Sequence, residues 1–398
     1  MVTAILKKAE PQEGARALPP AGVRRLWLAD FRTYPSLDLS VEANLIVLTG
    51  ENGAGKTNLL EALSLLSPGR GLRRAALSEC ARKGGSGGFA ISAEIEAERG
   101  PVHLGTGFER QEATPPQRRF RVNREPVSTI RTFSDYVRVV WLTPEMDALF
   151  AGPAGERRRF LDRLVLAVDS AHGTRVSAFE RALRTRNRLL EEGPSADRLW
   201  LEAIEAQAAE LGVAVAAART ETVARLSALI AKTREASSPF PWASLALAGE
   251  VESLVQTRPA VEAEDIFRGL LHENRARDAA AGRALIGPQS ADLCVSHGPK
   301  QVAAAEASTG EQKALLTGLI LAHAQLVAAV TGLAPLLLLD EAAAHFDARR
   351  RDALFELSKS LGGQIWLTGT DAAAFAAIKN EALMLTVTPA AVTPARQA

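Results

Sequence analysis

The sequence has few cysteines, no long uninterrupted apolar segment and almost no net charge. Two cysteines, Cys80 and Cys294, are too few for a disulfide framework and fit a reducing cytoplasm. The apolar stretch at residues 326–339 contains a glycine and a proline and is too short to span a membrane, so no membrane association is expected. Residues 1–20 lack the sustained apolar core of a signal peptide, and we expect a flexible extension there.

The charges are balanced overall but clustered locally. The net charge is +1, from 47 basic and 46 acidic side chains, which argues against a strongly basic nucleic-acid-binding protein. Arginines nevertheless concentrate at residues 70–74, 118–124 and 157–159, and such patches can bind phosphates in a neutral protein. Each group can equally be a solvated face with acidic neighbours. The candidates for DNA binding are Arg70, Arg73 and Arg74.

The most informative motif is a P-loop. Residues 50–57 read GENGAGKT, which matches G-x-x-x-x-G-K-[ST], with a strand-like run before it at 44–49 and a helical pattern after it at 58–66. In a P-loop the glycines let backbone N–H groups converge on phosphate, the lysine reaches the β- and γ-phosphates, and the hydroxyl serves Mg²⁺. The residues expected to hold ATP here are Gly50, Asn52, Gly53, Gly55, Lys56, Thr57 and Asn58.

The second half of a nucleotide site follows far along the chain. Residues 336–341 read LLLLDE, an apolar strand that ends in two carboxylates. We expect Asp340 to hold Mg²⁺ together with Thr57, and Glu341 to orient or deprotonate the attacking water. Asp340 and Glu341 are the expected catalytic residues. An acidic strand end without a catalytic part is the alternative interpretation.

Between these halves, residues 308–312 read STGEQ and precede a predicted helix at 312–330. Ser308 and Glu311 have the spacing of a capping box, which stabilises a helix by roughly 1 kcal/mol. The same segment is typical of a cassette-ATPase signature loop, in which Ser308, Gly310 and the helix N-terminus bind the γ-phosphate held by another subunit. The two interpretations use the same physics and do not exclude each other. The order of the motifs, with the signature between the P-loop and the acidic pair, favours the second.

Two further segments take the places of known cassette elements. Residues 344–347 follow the acidic pair where a D-loop is found, although His345 is more simply explained as a surface histidine. Residues 368–371 follow a predicted strand at 364–367, where such proteins place a residue that senses the γ-phosphate.

The chain is too long for one ordinary hydrophobic core, and the secondary structure that its residue pattern predicts changes twice along its length. Residues 21–155 combine the P-loop with strand-like patterns, residues 156–284 are mainly helical, and residues 285–398 return to mixed patterns. The sequence therefore predicts an α/β fold of the ABC-ATPase type. Its head, with a P-loop and a mixed sheet, would be assembled from residues 21–155 and 285–398, with a helical arm domain inserted at 156–284. No sustained heptads are visible, so a long coiled coil is not expected.

The chain resembles the RecF family of bacterial recombination mediators, which belongs to the cassette-type ATPases that include SMC proteins. Five segments are similar to that family: ADFRTYPSLDLS at 29–40, GENGAGKTNLLEALSLLSPGRGLR at 50–73, GERRRFLDRL at 155–164, RALRTRNRLL at 181–190 and STGEQKALL at 308–316. The resemblance implies that Arg32 lies against the adenine. It also implies an ATP-dependent homodimer with weak, slow hydrolysis that acts as a switch.

The resemblance implies a function as well. A member of this family would bind DNA at gaps or single-strand/double-strand junctions, help to load recombinase in repair and replication, act in the cytoplasm, and have RecR and RecO as partners. Two departures limit the transfer. Residues 287–293 read GPQSADL where the family has GPHRDDL, and no clear Q-loop glutamine follows residues 137–142, where Glu145 is only a candidate.

Two other classes share these motifs. A nucleotide-binding subunit of a membrane transporter would carry a shorter helical insertion and an LSGGQ signature. A chromosome-structuring SMC-like ATPase would carry long heptad arms. This sequence has a longer helical insertion than a transporter subunit, reads STGEQ in place of LSGGQ, and shows no long heptad arms.

Overall fold

The computed structural model describes residues 22–97, 100–109, 117–195, 197–234, 238–343 and 346–395. The expected N-terminal extension, and residues 344 and 345 of the expected D-loop with His345, lie outside these ranges. The strands are β1 (Gly22–Phe31), β2 (Tyr34–Ser40), β3 (Leu45–Thr49), β4 (Phe89–Glu96), β5 (Val102–Phe108), β6 (Arg118–Val122), β7 (Glu125–Val127), β8 (Val139–Leu142), β9 (Ala243–Ala248), β10 (Asp292–His297), β11 (Val302–Ala303), β12 (Leu336–Leu339), β13 (Ile365–Gly369), β14 (Leu383–Thr388) and β15 (Ala391–Pro394). The helices are α1 (Lys56–Ser64), α2 (Leu77–Cys80), α3 (Ala154–Val168), α4 (His172–Glu191), α5 (Arg198–Thr233), α6 (Glu250–Thr257), α7 (Ala260–Glu273), α8 (Arg275–Ala281), α9 (Thr309–Thr331) and α10 (Ala348–Ser360).

The central sheet combines strands from distant parts of the chain. Its order is β15-β14-β3-β13-β12-β8, and all neighbours from β14 to β8 are parallel. β3 lies between β13 and β14, which come more than 300 residues later. Its residues read as a continuous apolar run because both faces of a parallel sheet are covered.

The two faces of this sheet pack against different cores. Ile46 and Leu48 of β3 face a core shared with α1 and the antiparallel sheet, whereas Leu45 and Val47 face a core shared with α3, α9 and α10. This alternation follows from the period of two in a strand. As a result α1 and α9 lie on opposite faces of the central sheet.

A second, antiparallel sheet has the order β2-β1-β4-β5-β6-β7. The sequence NRE at residues 123–125 predicts a hairpin turn, and the last hairpin of this sheet confirms it. Val122 pairs with Glu125, and the two residues between them, Asn123 and Arg124, have φ values of 50° and 73°. Two consecutive left-handed residues are the geometry of a tight hairpin turn.

Residues 154–281 form α3 to α8 with one strand, β9, which pairs with β10 of the C-terminal segment. Their own core surrounds Phe179, Val213 and Phe267. The sequence pattern at 263–281 predicts a single helix, but the structure divides this segment into α7 and α8 at Asn274. The Asn274 side chain donates to the carbonyl of Leu270, a local bond of the kind that competes with helix continuation. The domain boundaries at 155/156 and 284/285 stay a prediction.

α9 is long and apolar enough to cross a membrane by length and composition, with a mean hydropathy of 1.8 in its most apolar window. In this structure 67% of that window is buried, and residues such as Leu315, Leu319 and Ala324 pack in the core under the central sheet. A core helix of a water-soluble protein passes the same test, so the feature is weak evidence for a membrane span.

Gln364 connects the first strand of the chain to the C-terminal segment. Its side chain is fully buried, accepts from the backbone N–H of Val23 and the indole of Trp366, and donates to the carbonyls of Val23 and Ala43. The bonds to Val23 and Trp366 are removed from water in the fold, so the groups that form them need their partners.

We predict that Gln364→Ala lowers the free energy of unfolding by about 3 kcal/mol or more, because it leaves several buried polar groups without partners and opens a cavity. Urea unfolding followed by circular dichroism measures the change. The exposed Gln207 on α5 offers a matched control, since Gln207→Ala should change the midpoint little. Equal effects of the two substitutions would contradict this role of Gln364.

Candidate nucleotide-binding site

The predicted P-loop and the predicted acidic pair meet at one edge of the central sheet. The P-loop follows β3, Asp340 and Glu341 follow β12, and Thr368 lies near the end of β13 between them. The carboxyl ends of parallel strands share one edge, which is where open α/β sheets bind ligands. In this way the fold brings together Thr57 and Asp340, which are 283 residues apart in sequence.

The P-loop requires glycine at two positions, because each has a positive φ and a close neighbour. Gly50 has φ 153°, and a Cβ there would lie 2.3 Å from the carbonyl oxygen of Val387 on β14. Gly55 has φ 115°, and a Cβ would lie 2.8 Å from the hydroxyl oxygen of Tyr34. That hydroxyl donates to the Gly55 carbonyl at 3.2 Å, so β2 holds the loop just before α1. β14 borders the same loop along a cleft of about 340 Å³ lined by Gly50 to Ala54 and Thr386 to Pro389.

Lys56 folds back onto its own loop. Its Nζ donates to the carbonyls of Gly50 and Glu51 at 2.6 and 2.9 Å, and only 4% of the residue is exposed. Burial lowers the pKa of Lys56, while Glu341 and Asp340 oppose this shift. The ammonium therefore has carbonyl partners and two acidic neighbours, and phosphate oxygens are the kind of group that would replace those carbonyls.

Asp340 is the centre of a small hydroxyl network. Its carboxylate accepts from Thr57 Oγ1 at 3.0 Å and from Thr368 Oγ1 at 2.8 Å. Burial raises its pKa, the two hydroxyl bonds lower it, and nearby Glu341 adds to the rise. The sequence pointed to residues 368–371 as a phosphate-sensing segment, but the bond from Thr368 to Asp340 was not predicted.

Glu341 follows in a left-handed conformation, with φ 49°. Its backbone N–H donates to Thr368 Oγ1 at 2.9 Å, so Thr368 bridges both acidic residues. A non-glycine residue with positive φ is strained and persists where its surroundings hold it. The bond from its N–H to Thr368 holds the backbone of Glu341 in this conformation directly beside Asp340.

Arg32 does not point freely toward a ligand in this structure. It forms a bidentate ion pair with the buried carboxylate of Glu61 on α1, at 2.8 and 2.5 Å, and also donates to the carbonyl of Glu79. Arg73 joins the same cluster through Glu61 and through Asn58 Oδ1 at 2.6 Å. Asn58 in turn donates to Thr33 Oγ1. The side chains of Arg32, Arg73 and Asn58 thus brace the outer side of the P-loop helix, and contact of Arg32 with adenine stays a prediction.

The capping box predicted at the start of α9 is confirmed. Ser308 Oγ accepts from the backbone N–H of Glu311, and the Glu311 carboxylate accepts from the backbone N–H of Ser308. Lys300 pairs with Glu311 at 2.5 Å, and these bonds lower the pKa of Glu311 to about 2. Ser308, Thr309 and Gly310 are exposed, so the first turn of α9 is open to a ligand.

The structure does not place this turn over the P-loop of the same chain. α9 lies on the sheet face opposite to α1, and its first residues are near the end of β8, where Lys313 pairs with Asp147 at 3.5 Å. Glu145 lies in the turn after β8 and is exposed.

The arginine clusters divide into exposed and inward-facing members. Arg70 and Arg74 are exposed, and partial burial together with the neighbouring cations Arg159 and Arg70 lowers the pKa of Arg74. Arg157 and Arg158 instead bind the segment at residues 287–293, through Asp292 and the carbonyl of Ala291. Two arginines of the 157–159 group, which the sequence analysis treated as a possible surface patch, therefore bind the altered segment at 287–293 instead.

In the described part of the chain, no group of three or more His, Cys, Asp or Glu side chains forms a metal cluster. Thr57 and Asp340 are hard oxygen ligands, and Mg²⁺ is commonly held by one or two carboxylates with phosphates and waters completing its shell. The side chains present at this edge of the sheet fit that requirement.

Fold and site together define a P-loop head of the RecF/SMC class. The family model described as RecF/RecN/SMC N terminal domain matches residues 22–389. The chain is 53% identical over 371 residues to the DNA replication and repair protein RecF of Rhizobium rhizogenes, covering 93% of this chain and 98% of that protein. It is 50% identical over 376 residues to the RecF of Mesorhizobium japonicum, covering 94% and 98%. The chain belongs to the RecF family.

Solved structures agree on the fold. The recombination mediator protein RecF bound to ATP, a component of the RecFOR pathway, superposes with a TM-score of 0.83 at 19% identity, covering 96% of this chain and 100% of that one. An Smc head domain with an extended coiled coil from Pyrococcus furiosus gives a TM-score of 0.51 at 15% identity over 94% and 96% of the two chains. These similarities confirm the predicted ABC-ATPase-like head architecture.

We predict that Asp340→Asn raises the thermal stability of the nucleotide-free protein. Burial makes the ionised carboxylate costly, so removing the charge at constant size should gain on the order of 1 kcal/mol, or a few degrees in Tm. A carboxyl group with a raised pKa destabilises the fold only when ionised. The gain should therefore vanish at low pH, where Asp340 is protonated in both folded and unfolded states, and grow as pH rises through the pKa in the folded protein.

Differential scanning calorimetry between about pH 3 and pH 8, a range that begins below the pKa of an unfolded aspartate, measures this gain. The exposed Asp352 on α10 provides the control, because Asp352→Asn should leave Tm nearly unchanged at every pH. A lower Tm for Asp340→Asn at pH 8 would show that the hydroxyl bonds to the carboxylate outweigh its desolvation.

Proposed function

We propose that this protein binds ATP with Mg²⁺ at the P-loop and that ATP joins two copies into a clamp on DNA during recombinational repair. The observation that carries the proposal is the meeting of Lys56, Thr57, Asp340 and Thr368 at one edge of the sheet. Such a constellation of an ammonium, a hydroxyl and a carboxylate is the set that nucleoside-triphosphate sites use.

The roles follow from the positions. Lys56 and the P-loop N–H groups would hold the phosphates, and Thr57 with Asp340 would hold Mg²⁺, which when bound neutralises phosphate charge. Glu341 would orient or deprotonate the attacking water, with its backbone fixed by Thr368. The support for ATP as the nucleotide is the similarity to a RecF bound to ATP.

The second half of the site would come from another copy. The first turn of α9 is exposed and capped by Ser308, but it lies across the sheet from α1. A helix N-terminus favours an anion. Two copies arranged head to head would therefore place Ser308 and Gly310 of one chain on the phosphates bound by the other. Hydrolysis would separate the heads, so ATP would act as a switch.

DNA and the remaining partners are proposed from the family. Relatives with about half of their residues identical are named DNA replication and repair protein RecF, and a solved relative is placed in the RecFOR pathway. We propose gapped or junction DNA, RecR and RecO as partners, and the cytoplasm as the location. Arg70 and Arg74 are the exposed cations next to the P-loop helix that would meet DNA phosphates.

The two alternatives receive no support. The relatives carry the name of a repair protein rather than of a transporter subunit. The longest helix in the described part of the chain, α5, has 36 residues, which is far short of the heptad arms of a chromosome-structuring ATPase.

The central prediction is that Glu341→Gln, which slows hydrolysis, forms a dimer with ATP that is stabilised further by gapped duplex DNA. Sedimentation velocity with ATP, with ADP and without nucleotide measures the population. Adding Ser308→Arg to the same background should preserve ATP binding but abolish the dimer, because the guanidinium would occupy the turn that receives phosphate from the other chain.

Lys56→Met is the control for nucleotide dependence and should lose ATP binding itself, by about 100-fold or more in affinity. A monomer under every condition would overturn the clamp. Full ATP-dependent dimerisation of the Ser308→Arg protein would overturn the contribution of the signature turn in trans while leaving the P-loop assignment intact.

A further prediction concerns the basic surface. The double substitution Arg70→Gln and Arg74→Gln should weaken binding to all DNA sequences alike and reduce the slope of log K against log salt by about 2, because two phosphate contacts are lost. Fluorescence anisotropy at several salt concentrations measures this slope. Arg121 and Arg124 near the β6–β7 hairpin provide the matched double control. An unchanged slope for the Arg70/Arg74 variant would contradict their contact with DNA.

A further inference from the structure

A small cavity lies where the end of the P-loop helix, the edge strand β8 and helix α3 come together. Its volume is about 20 Å³. It is separate from the nucleotide site at the opposite end of α1. The lining residues are Ser67, Pro68, Ser134, Val137, Arg138, Val139, Trp141, Arg163, Leu166 and Ala167.

Three of the lining residues each have one hydrogen-bond donor without a partner among the described residues. They are Nη2 of Arg163, Nε of Arg138 and the hydroxyl of Ser134, and all three atoms are removed from solvent. Buried donors in folded proteins nearly always have a partner, so each exception calls for a water or an ion. Three exceptions around one cavity indicate one shared acceptor.

The cavity is also positively charged. The guanidinium of Arg163 stacks on Trp141 and Phe160, with its Cζ 4.8 and 5.1 Å from the ring centroids, and its Nη1 contacts the sulfur of Met146 at 3.3 Å. Burial and, to a smaller extent, the nearby Arg74 lower its pKa to about 9. The charged neighbour that shifts its pKa is another cation, Arg74, rather than a carboxylate, which is unusual for a buried cation.

Arg138 adds a second, partly compensated cation. One of its terminal nitrogens donates to the carbonyl of Ala167 at 3.2 Å, at the end of α3. Burial lowers its pKa, while Asp135 and Asp169 oppose that shift. Asp169 is itself engaged by Arg175. The site therefore holds more positive than negative charge.

We propose that this cavity binds a single chloride ion, held by Arg163, Arg138 and Ser134. A cavity of this volume holds about one water-sized particle, which excludes phosphate, sulfate and other oxyanions with several atoms. A water molecule accepts at most two hydrogen bonds and carries no charge. A halide can accept from all three donors and also compensates the guanidinium of Arg163.

The ion would link two parts of the molecule. Ser134 and Arg138 lie just before β8 of the central sheet, and Arg163 lies on α3. An anion between them would attach the helical segment to the nucleotide-binding sheet, so its binding should stabilise the whole fold by linkage.

The direct test is diffraction from crystals of the full chain grown in sodium bromide. Bromide replaces chloride and scatters anomalously, so a peak within hydrogen-bond distance of Arg163 Nη2 and Ser134 Oγ is expected. Absence of a peak in this cavity at saturating bromide would overturn the proposal and leave water as the occupant.

The test in solution compares thermal unfolding in sodium chloride and in sodium gluconate at equal ionic strength. We expect chloride to raise Tm by about 2–4 °C relative to gluconate, because only the small anion enters the cavity. Arg163→Met keeps a long side chain over Trp141 and Phe160 and should lose this difference. Arg159→Met, an exposed position on the same helix, should retain it.

Ser134→Ala removes one donor, leaves both arginines in place and should reduce the chloride-dependent difference even if Arg163→Met does not fold. Two outcomes would overturn the proposal: equal Tm values of the unsubstituted protein in chloride and gluconate, or an undiminished difference in both the Arg163 and the Ser134 variants.

Discussion

The parallel pairing of β3 with β13 on one side and β14 on the other is the interaction on which the rest of the structure depends. It joins the first part of the chain to the last and fixes which strand ends share an edge. The P-loop, Asp340 and Thr368 are neighbours only because β3, β13 and β12 are consecutive in the sheet. Gln364 secures the same junction from the other end, through the backbone of Val23 and Ala43. Site and fold are thus two results of one set of strand pairings.

The central sheet also separates the P-loop helix from the exposed first turn of α9. One face carries α1 and the cluster around Glu61, and the other carries α9 with its exposed first turn. Lys56 and Ser308 belong to one proposed reaction but approach from opposite sides of the sheet. In the proposed mechanism a single chain would bind a nucleotide with the first group, whereas the second group would act only when another chain is present.

Local patterns predicted much of this arrangement. Short-range signals with a physical reason for each residue could be found in the sequence. They are the P-loop, the LLLLDE strand, the capping box of Ser308 and the 123–125 turn. Other features depend on residues that meet only after folding. No pattern near Thr368 indicates its bond to Asp340, and nothing near Arg157 shows that it turns inward to Asp292. The break at Asn274 was missed because helical periodicity continues across it.

The position of β3 has a consequence for how the protein is made. When the ribosome has synthesised the P-loop, the two strands that flank β3 are still more than 300 residues away. At typical elongation rates this delay is roughly 15–60 s. During that time an apolar strand and a glycine-rich loop have no sheet to join, and premature termination anywhere before β14 leaves β3 as an open edge. We therefore expect only chains that have been translated almost to their end to bind a nucleotide. Incomplete chains would then not compete for the nucleotide or for a partner head.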